Sequence, residues 1–206
     1  MSSPKKVSLL LGTGNQHKIE EMRQILEDYP VELLSLAQLG LENIPEPEES
    51  GQNYLENALI KARHYQKYTN MPCLADDSGL EIEALQGAPG LYSHRFLSQC
   101  KNQAEKNACV LKLLQDLSDV AQRAAAFKCC CVIVTKGEEH IQAQASCPGY
   151  IAFESSGTQG FGYDPIFFVP QFNKHMAELS PYEKNSISHR GQAVRMAVAQ
   201  LIGRQD

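Results

Sequence analysis

An α/β fold built on a mixed sheet is what this chain predicts, on three observations. From residue 7 to residue 76, apolar runs of strand length alternate with amphipathic helical stretches. A β-rich middle follows between residues 125 and 153, and the chain from Pro181 onward returns to helical periodicity. Alternating elements build parallel βαβ units and consecutive strands build antiparallel pairs, so one sheet should contain both pairings.

The first strand, VSLLL, stops at the turn and cap residues Gly12, Thr13, Gly14 and Asn15. Ile19, Met22, Ile25 and Leu26 then recur every three or four residues, which lays one stripe of a helix against a sheet. VELLSL is a second strand. NIPEPEESGQ, with two prolines and a glycine, is a loop that carries Glu46, Glu48 and Glu49 to the front of a helix over residues 53–68. Leu55, Ala58, Leu59 and Ala62 form its inward stripe, with Lys61 and Arg63 elsewhere on its surface. PCLAD is the third strand, ending in two acids, and Gly79 permits a sharp exit after them. GAPG is a tight turn, and a helix spans roughly residues 103–117. AAFKCCCVIVT, HIQAQAS and GYIAF read as three strands of an antiparallel meander. The C-terminal helical stretch to Gly203 is interrupted around KNSISHR.

With 206 residues, the chain suits a single domain over 1–206, or two closely packed lobes. Hydrophobic residues at 43% and charged residues at 21% exclude a disordered chain. A formal charge of −5 and the lack of any basic run longer than Lys5-Lys6 argue against a nucleic-acid polymer or an anionic membrane as partner. VSLLL is too short for a signal core or a membrane span, so a cytoplasmic protein is expected. Seven cysteines without a CxxC pair read as reduced structural thiols, with Cys129, Cys130 and Cys131 in a buried strand.

Five segments could carry chemistry. TGNQHK, residues 13–18, stands where a strand hands over to a helix, so free N–H groups and the dipole could hold an anion beside Lys18; taken alone, these six residues read first as a plain helix cap by Asn15 with a solvated lysine. Glu48-Glu49 and Asp76-Asp77 lie at two loop ends and are oxygen ligands suited to Mg²⁺, although the first pair also reads as a solvated loop. Half-buried adjacent carboxylates in ADDSGL are costly without a cation or donors. GFGYDPIF combines a close-approach loop with Phe161 as a stacking platform for a flat base, core packing being the alternative, and EKNSISHR sets Lys184, His189 and Arg190 together as donors.

Together these segments resemble the inosine triphosphate pyrophosphatase family. TGNQHK is similar to its phosphate-binding opening, EESGQNYLENALIKA to its acidic loop and helix, and ADDSGLEIEALQGAPGLYSHRF to its central signature. GFGYDPIFF and AELSPYEKNSISHRGQA follow in the family's order, and the resemblance runs from about residue 7 to 200. It implies an elongated mixed β-sheet flanked by helices, two lobes with a central substrate cleft, and a homodimer. It also implies Mg²⁺-dependent hydrolysis of ITP, dITP or XTP to the monophosphate and pyrophosphate. By position, Asp77 resembles the catalytic acid and metal ligand, and Glu48 the second metal ligand. Thr13, Gly14, Asn15, Gln16, His17, Lys18, Ser78, Phe161, Gly162, Tyr163, Asp164, Lys184, His189 and Arg190 resemble the substrate contacts. His17 departs from the small residue common in relatives. Arg190 is the expected reader of a purine O6/N7 edge. Two other readings share this pattern: a nucleotide sensor without turnover, and the septum-inhibition type of nucleotide pyrophosphatase, from which SHR and GFGYDP distinguish the inosine type.

Overall fold

The computed structural model describes residues 6–135 and 139–204; Lys5 lies outside them. Seven strands form one mixed sheet in the order β2-β1-β3-β4-β5-β6-β7. β1 (Val7–Leu11) pairs in parallel with β2 (Val31–Leu34) and β3 (Cys73–Ile82), while β6 (Phe167–Val169) runs antiparallel to both β5 (His140–Ile151) and β7 (Lys174–His175). The expected mixture of pairings is therefore present. Helices α1 (Gln16–Ile25) and α2 (Tyr54–Thr69) make the two βαβ crossovers. No helix among the described residues is long and apolar enough to cross a membrane.

The chain divides into two compact units. The first contains the residues up to Asp77, Cys129–Ala145 and those from Arg190 onward; the second contains Ser78–Lys128 and Ser146–His189. In the first unit the sheet is buried on both faces, which is why its strands read as unbroken apolar runs. Leu9, Leu11 and Leu74 pack with Ile19, Met22 and Ile25 of α1 and with Val194, Ala197 and Val198 of α5 (His189–Ile202). Leu10, Cys73 and Ala75 pack on the opposite face against Ala58, Ala62 and Tyr65 of α2. The three consecutive cysteines of β4 (Ala124–Val134) obey the same alternation, Cys129 and Cys131 on one face and Cys130 on the other. All seven cysteines are free thiols.

The core of the second unit joins Leu80, Ile82, Phe127, Ile151 and Phe167 to Val110 of α3 (Gln103–Leu113) and to Leu114, the cap that follows it. Arg123, with 1% of its surface exposed, donates to the carbonyls of Leu114, Leu117, Ile151 and Ala152. Two of these carbonyls lie just beyond α3, which ends at Leu113 and not at the expected residue 117.

Two strand boundaries differ from the sequence reading. HIQAQAS and GYIAF are one strand, because Ile141, Ala143, Cys147 and Ile151 keep a single inward parity across Pro148, whose exposed position loses little by lacking a donor. β3 does not end at the acids but runs on through Gly79, since Leu80 and Ile82 bury completely as core residues. The interruption near the C-terminus is present: α4 (Pro181–Ile187) ends at Ser188, whose extended backbone (ψ 150°) separates it from α5.

Candidate active site

In the first unit, the end of β1 runs beside β3, the Gly12 amide donating to Leu74 O at 2.8 Å. A Cβ on Gly12 would lie 2.9 Å from Cys73 Sγ and 3.2 Å from Ala75 Cβ, so only glycine fits. Asn15 then caps α1, its Oδ1 accepting from the Lys18 amide at 3.3 Å, while its own amide donates to Thr13 Oγ1 at 3.2 Å. Gly14, Asn15, Gln16 and His17 are exposed. A Cβ on Gly14 would stand 3.1 Å from Glu46 Oε1, so the acidic loop lies over this turn.

Asp76 and Asp77 are buried, at 1% and 6% exposure, and lie mid-strand. Successive strand residues point to opposite faces, so adjacent carboxylates in β3 cannot form a dyad. Asp76 shares the face of Leu74. Both its oxygens accept from Lys18 Nζ at 3.0 Å, and Oδ2 also accepts from Arg190 Nε at 3.2 Å. Arg190 Nη1 in turn donates to Glu21 of α1 at 2.6 Å. Asp77 shares the face of Ala75 and meets α2 instead: Oδ2 accepts from Asn57 Nδ2 at 3.0 Å and Oδ1 from Lys61 Nζ at 3.3 Å. Lys61 also donates to Glu49 at 2.7 Å.

These surroundings give the two acids opposite electrostatics. Burial works against the Asp76 carboxylate, but Lys18, Arg190 and Lys61 outweigh it and hold Asp76 well below the usual carboxylate range. For Asp77, burial dominates; Lys61 opposes it, the Glu49 charge adds to it, and the net effect lies above the usual value. Burial likewise disfavours the Lys61 ammonium, yet Asp77, Asp76 and Glu49 keep it above the usual lysine value. Arg190 is raised further by Asp76 and Glu21 despite its burial. Asp76 is thus a neutralised anchor, whereas Asp77 retains proton affinity.

The second unit presents a different group. Gly160 and Gly162 have φ of +74° and +64°, and a Cβ on Gly160 would come within 2.1 Å of Asp164 Oδ2. That oxygen accepts from the Phe161 amide at 2.8 Å and from Lys184 Nζ at 2.7 Å. Lys184 Nζ also lies 4.8 Å from the Phe161 ring centroid, a cation–π contact. Asn107 of α3 donates to the Gly162 carbonyl at 3.1 Å. A cavity of about 540 Å³ opens beside this loop, lined in part by Gln103, Asn107, Gln159 and Phe161. Tyr163 belongs to the core, with its hydroxyl donating to Ser93 O at 3.0 Å, and His189 stacks on Phe127 with centroids 4.9 Å apart. Ser78 is half-buried in β3.

Of the expected set, the first unit joins Lys18 and Arg190 through Asp76 and sets Asp77 on the opposite face of β3, with Asn57 and Lys61. Glu48 is exposed, and it is Glu49 that the structure ties, through Lys61, to Asp77. Lys61, read from the sequence as a surface residue, has only 12% of its side chain exposed. The sequence reading names Glu49 beside Glu48 as a candidate oxygen ligand but does not name Asn57, Lys61 or Glu21 as site residues. The signal for two of them was present: Asn57 and Lys61 stand four apart, hence on one helix face, beside the buried Ala58 and Ala62.

The Ham1 family profile matches residues 9–200. A dITP/XTP pyrophosphatase of Shigella flexneri is 43% identical over 197 residues, covering 94% of this chain and 97% of that protein. One from Desulfotalea psychrophila is 44% identical over 186 residues, covering 90% and 81%. Among solved structures, a HAM1 protein of Coxiella burnetii superposes with a TM-score of 0.83 at 39% identity, covering 96% of this chain and 99% of that one. The nucleoside-triphosphatase and dITP/XTP pyrophosphatase of Mycobacterium abscessus superposes with a TM-score of 0.69, also at 39% identity, over 95% and 98%. Sequence and fold agree over nearly the whole chain, which belongs to the Ham1 family.

Proposed function

We propose that the protein is a nucleoside triphosphate pyrophosphohydrolase acting on non-standard purine nucleotides, ITP, dITP and XTP, and releasing the monophosphate and pyrophosphate. The relatives named dITP/XTP pyrophosphatase support the substrate class. The observation that carries the chemistry is the split of Asp76 and Asp77, one carboxylate saturated by cations and the other held by Asn57 and Lys61 with its proton affinity raised.

In this reading Asp77 accepts the proton of the water that attacks the α-phosphorus. Asn57 and Lys61 orient its two oxygens, so the base is positioned before substrate arrives. Asp76 sets the position of the Lys18 ammonium at the start of α1, where the helix N–H groups and the lysine favour the charge of the departing pyrophosphate. In the second unit, the Phe161 ring with Lys184 beside it suits a flat, electron-rich base.

The residues present fit a magnesium ion. Glu49 and Asp77 share one ammonium, leaving one negative charge uncompensated, and Mg²⁺ needs only one or two carboxylates beside water and phosphate oxygens. Glu49 and Asp77 would hold it, with Glu48 as the neighbouring alternative; when bound it would withdraw charge from the phosphate oxygens. The same reading takes the protein as a cytoplasmic homodimer that clears damaged nucleotides from the pool, its assembly to be measured by sedimentation equilibrium.

Phosphorus NMR of dITP turnover with and without Mg²⁺ tests the proposal. Pyrophosphate and dIMP are expected, with turnover lost on chelation. Formation of dIDP and orthophosphate would move the attack to the γ-phosphorus and remove the role given to Asp77.

A further inference from the structure

Cys100 and Cys109 lie apart from the groups above, and their sulfurs are 3.5 Å apart. The other five thiols, Cys73, Cys129, Cys130, Cys131 and Cys147, are buried at 3% exposure or less, whereas these two are partly exposed. Cys100 sits in the irregular segment between Tyr92 and the Asn102 cap of α3; Cys109 is on α3 itself. One sulfur is therefore carried by a helix and the other by a run of turns, in which the Arg95 and Phe96 amides donate to Tyr92 O and the Cys100 amide to Leu97 O.

That segment borders the Gly160–Asp164 loop. Tyr163 Oη donates to Ser93 O, and Lys106 Nζ of α3 donates to His94 O at 2.8 Å. Two residues before Cys109, Asn107 holds the Gly162 carbonyl. The thiol pair thus joins the two elements that support the loop carrying Phe161.

We propose that Cys100 and Cys109 are a reversible thiol–disulfide pair, closed by hydrogen peroxide, whose closure draws residues 93–102 toward α3 and lowers turnover. The chemistry balances with the peroxide as oxidant. One thiolate attacks the peroxide, forming an S–O bond and breaking the O–O bond, and the released hydroxide takes a proton to become water. The second thiolate attacks that sulfenic sulfur, forming the S–S bond and expelling hydroxide, which is protonated to a second water. Two thiols lose two electrons and two protons, and one peroxide becomes two waters. Reduction by a small dithiol reverses the step. Closing 3.5 Å to a bond of about 2.05 Å requires a movement of about 1.5 Å. The helix resists it, so the segment that anchors Tyr163 takes it up. Burial and the hydrogen bond with Cys109 push the Cys100 thiol up, so closure should quicken as pH is raised.

The test treats the purified full chain with hydrogen peroxide, alkylates it, and maps its peptides, which does not depend on the substrate. The expected product is a Cys100–Cys109 cross-linked peptide that dithiothreitol abolishes and that Cys100→Ser and Cys109→Ser both lack. Thiols that stay alkylatable, sulfinic acid without a cross-link, or an intermolecular disulfide on a non-reducing gel would each overturn the proposal. The turnover arm rests on the proposed pyrophosphohydrolase reading. Oxidised wild type should lose from a few-fold to roughly 10²-fold in kcat/KM for dITP, as expected for a misplacement of about 1 Å at a positioning loop. Cys100→Ser should keep its activity through the same treatment. A cross-link that leaves kcat/KM unchanged would overturn the coupling, while absence of dITP turnover in the reduced protein would count against the function alone.

Discussion

At the scale of the residue, two aspartates adjacent in sequence do opposite things, and each makes a separable prediction. Asp76 is buried among Lys18 and Arg190 and is held ionised. Asp76→Asn should cost about 3–5 kcal/mol at neutral pH, because removing one partner of a buried ion pair strands the other charges. A depressed folded pKa gives stability that is present above the unfolded value and lost as pH falls toward the folded one. The gap between wild type and variant in urea denaturation should therefore narrow below about pH 4; a gap independent of pH would mean that packing, not charge, is lost. Asp77 is shifted the other way, chiefly by burial. Asp77→Asn should keep the fold and lower kcat by roughly 10²- to 10⁴-fold. In the metal-free protein the Asp77 carboxyl should titrate above the ordinary aspartate range, as read by carbon NMR of the side chain. Lys61 is the largest charge opposing that rise, so Lys61→Met should carry the titration to higher pH. Arg190 commits Nε and Nη1 to Asp76 and Glu21. Arg190→Ala should thus weaken ITP and ATP turnover in equal proportion; a compressed ratio between them would return it to the base-reading role expected from the sequence.

At the scale of the element, strand parity and glycine geometry set what side chains can reach. β3 delivers its two acids to α1 and α5 on one face and to α2 on the other, because successive residues of a strand point to opposite faces. α2 holds Asn57 and Lys61 in register through its Asn53 cap, whose Oδ1 accepts from the Glu56 amide at 2.9 Å. In the GFGYDP loop, both glycines have left-handed backbones but only Gly160 meets an obstacle. Gly162→Ala should cost about 1–2 kcal/mol from backbone strain alone. Gly160→Ala should cost more, because the new Cβ displaces Asp164 and with it the Phe161 amide and Lys184. Equal losses in chemical denaturation would show that Asp164 moves aside freely.

At the scale of the whole molecule, burial sorts seven chemically identical thiols into two classes. Iodoacetamide on the native protein should alkylate Cys100 and Cys109, and all seven after unfolding, as read by intact mass. Early labelling of the CCC run would mean that β4 opens to solvent. Much of the molecule was legible in the linear chain because its determinants are local. The apolar runs of β1 and β2, the 3.6-residue stripe of α1, the Ser188 interruption and the close spacing of motifs each depend on neighbours a few residues away. These were enough to predict an α/β mixed sheet and to single out Lys18 and Asp77. The rest depends on partners far along the chain. Whether ADD ends a strand or crosses one turned on the burial of Leu80 and Ile82, and with it the division of Asp76 from Asp77. Lys61 reads as a surface lysine until Glu49, twelve residues earlier, and Asp77, sixteen later, converge on its ammonium. Periodicity reports which face a residue occupies, but the charge facing it comes from a distant segment, and only folding brings the two within hydrogen-bond reach.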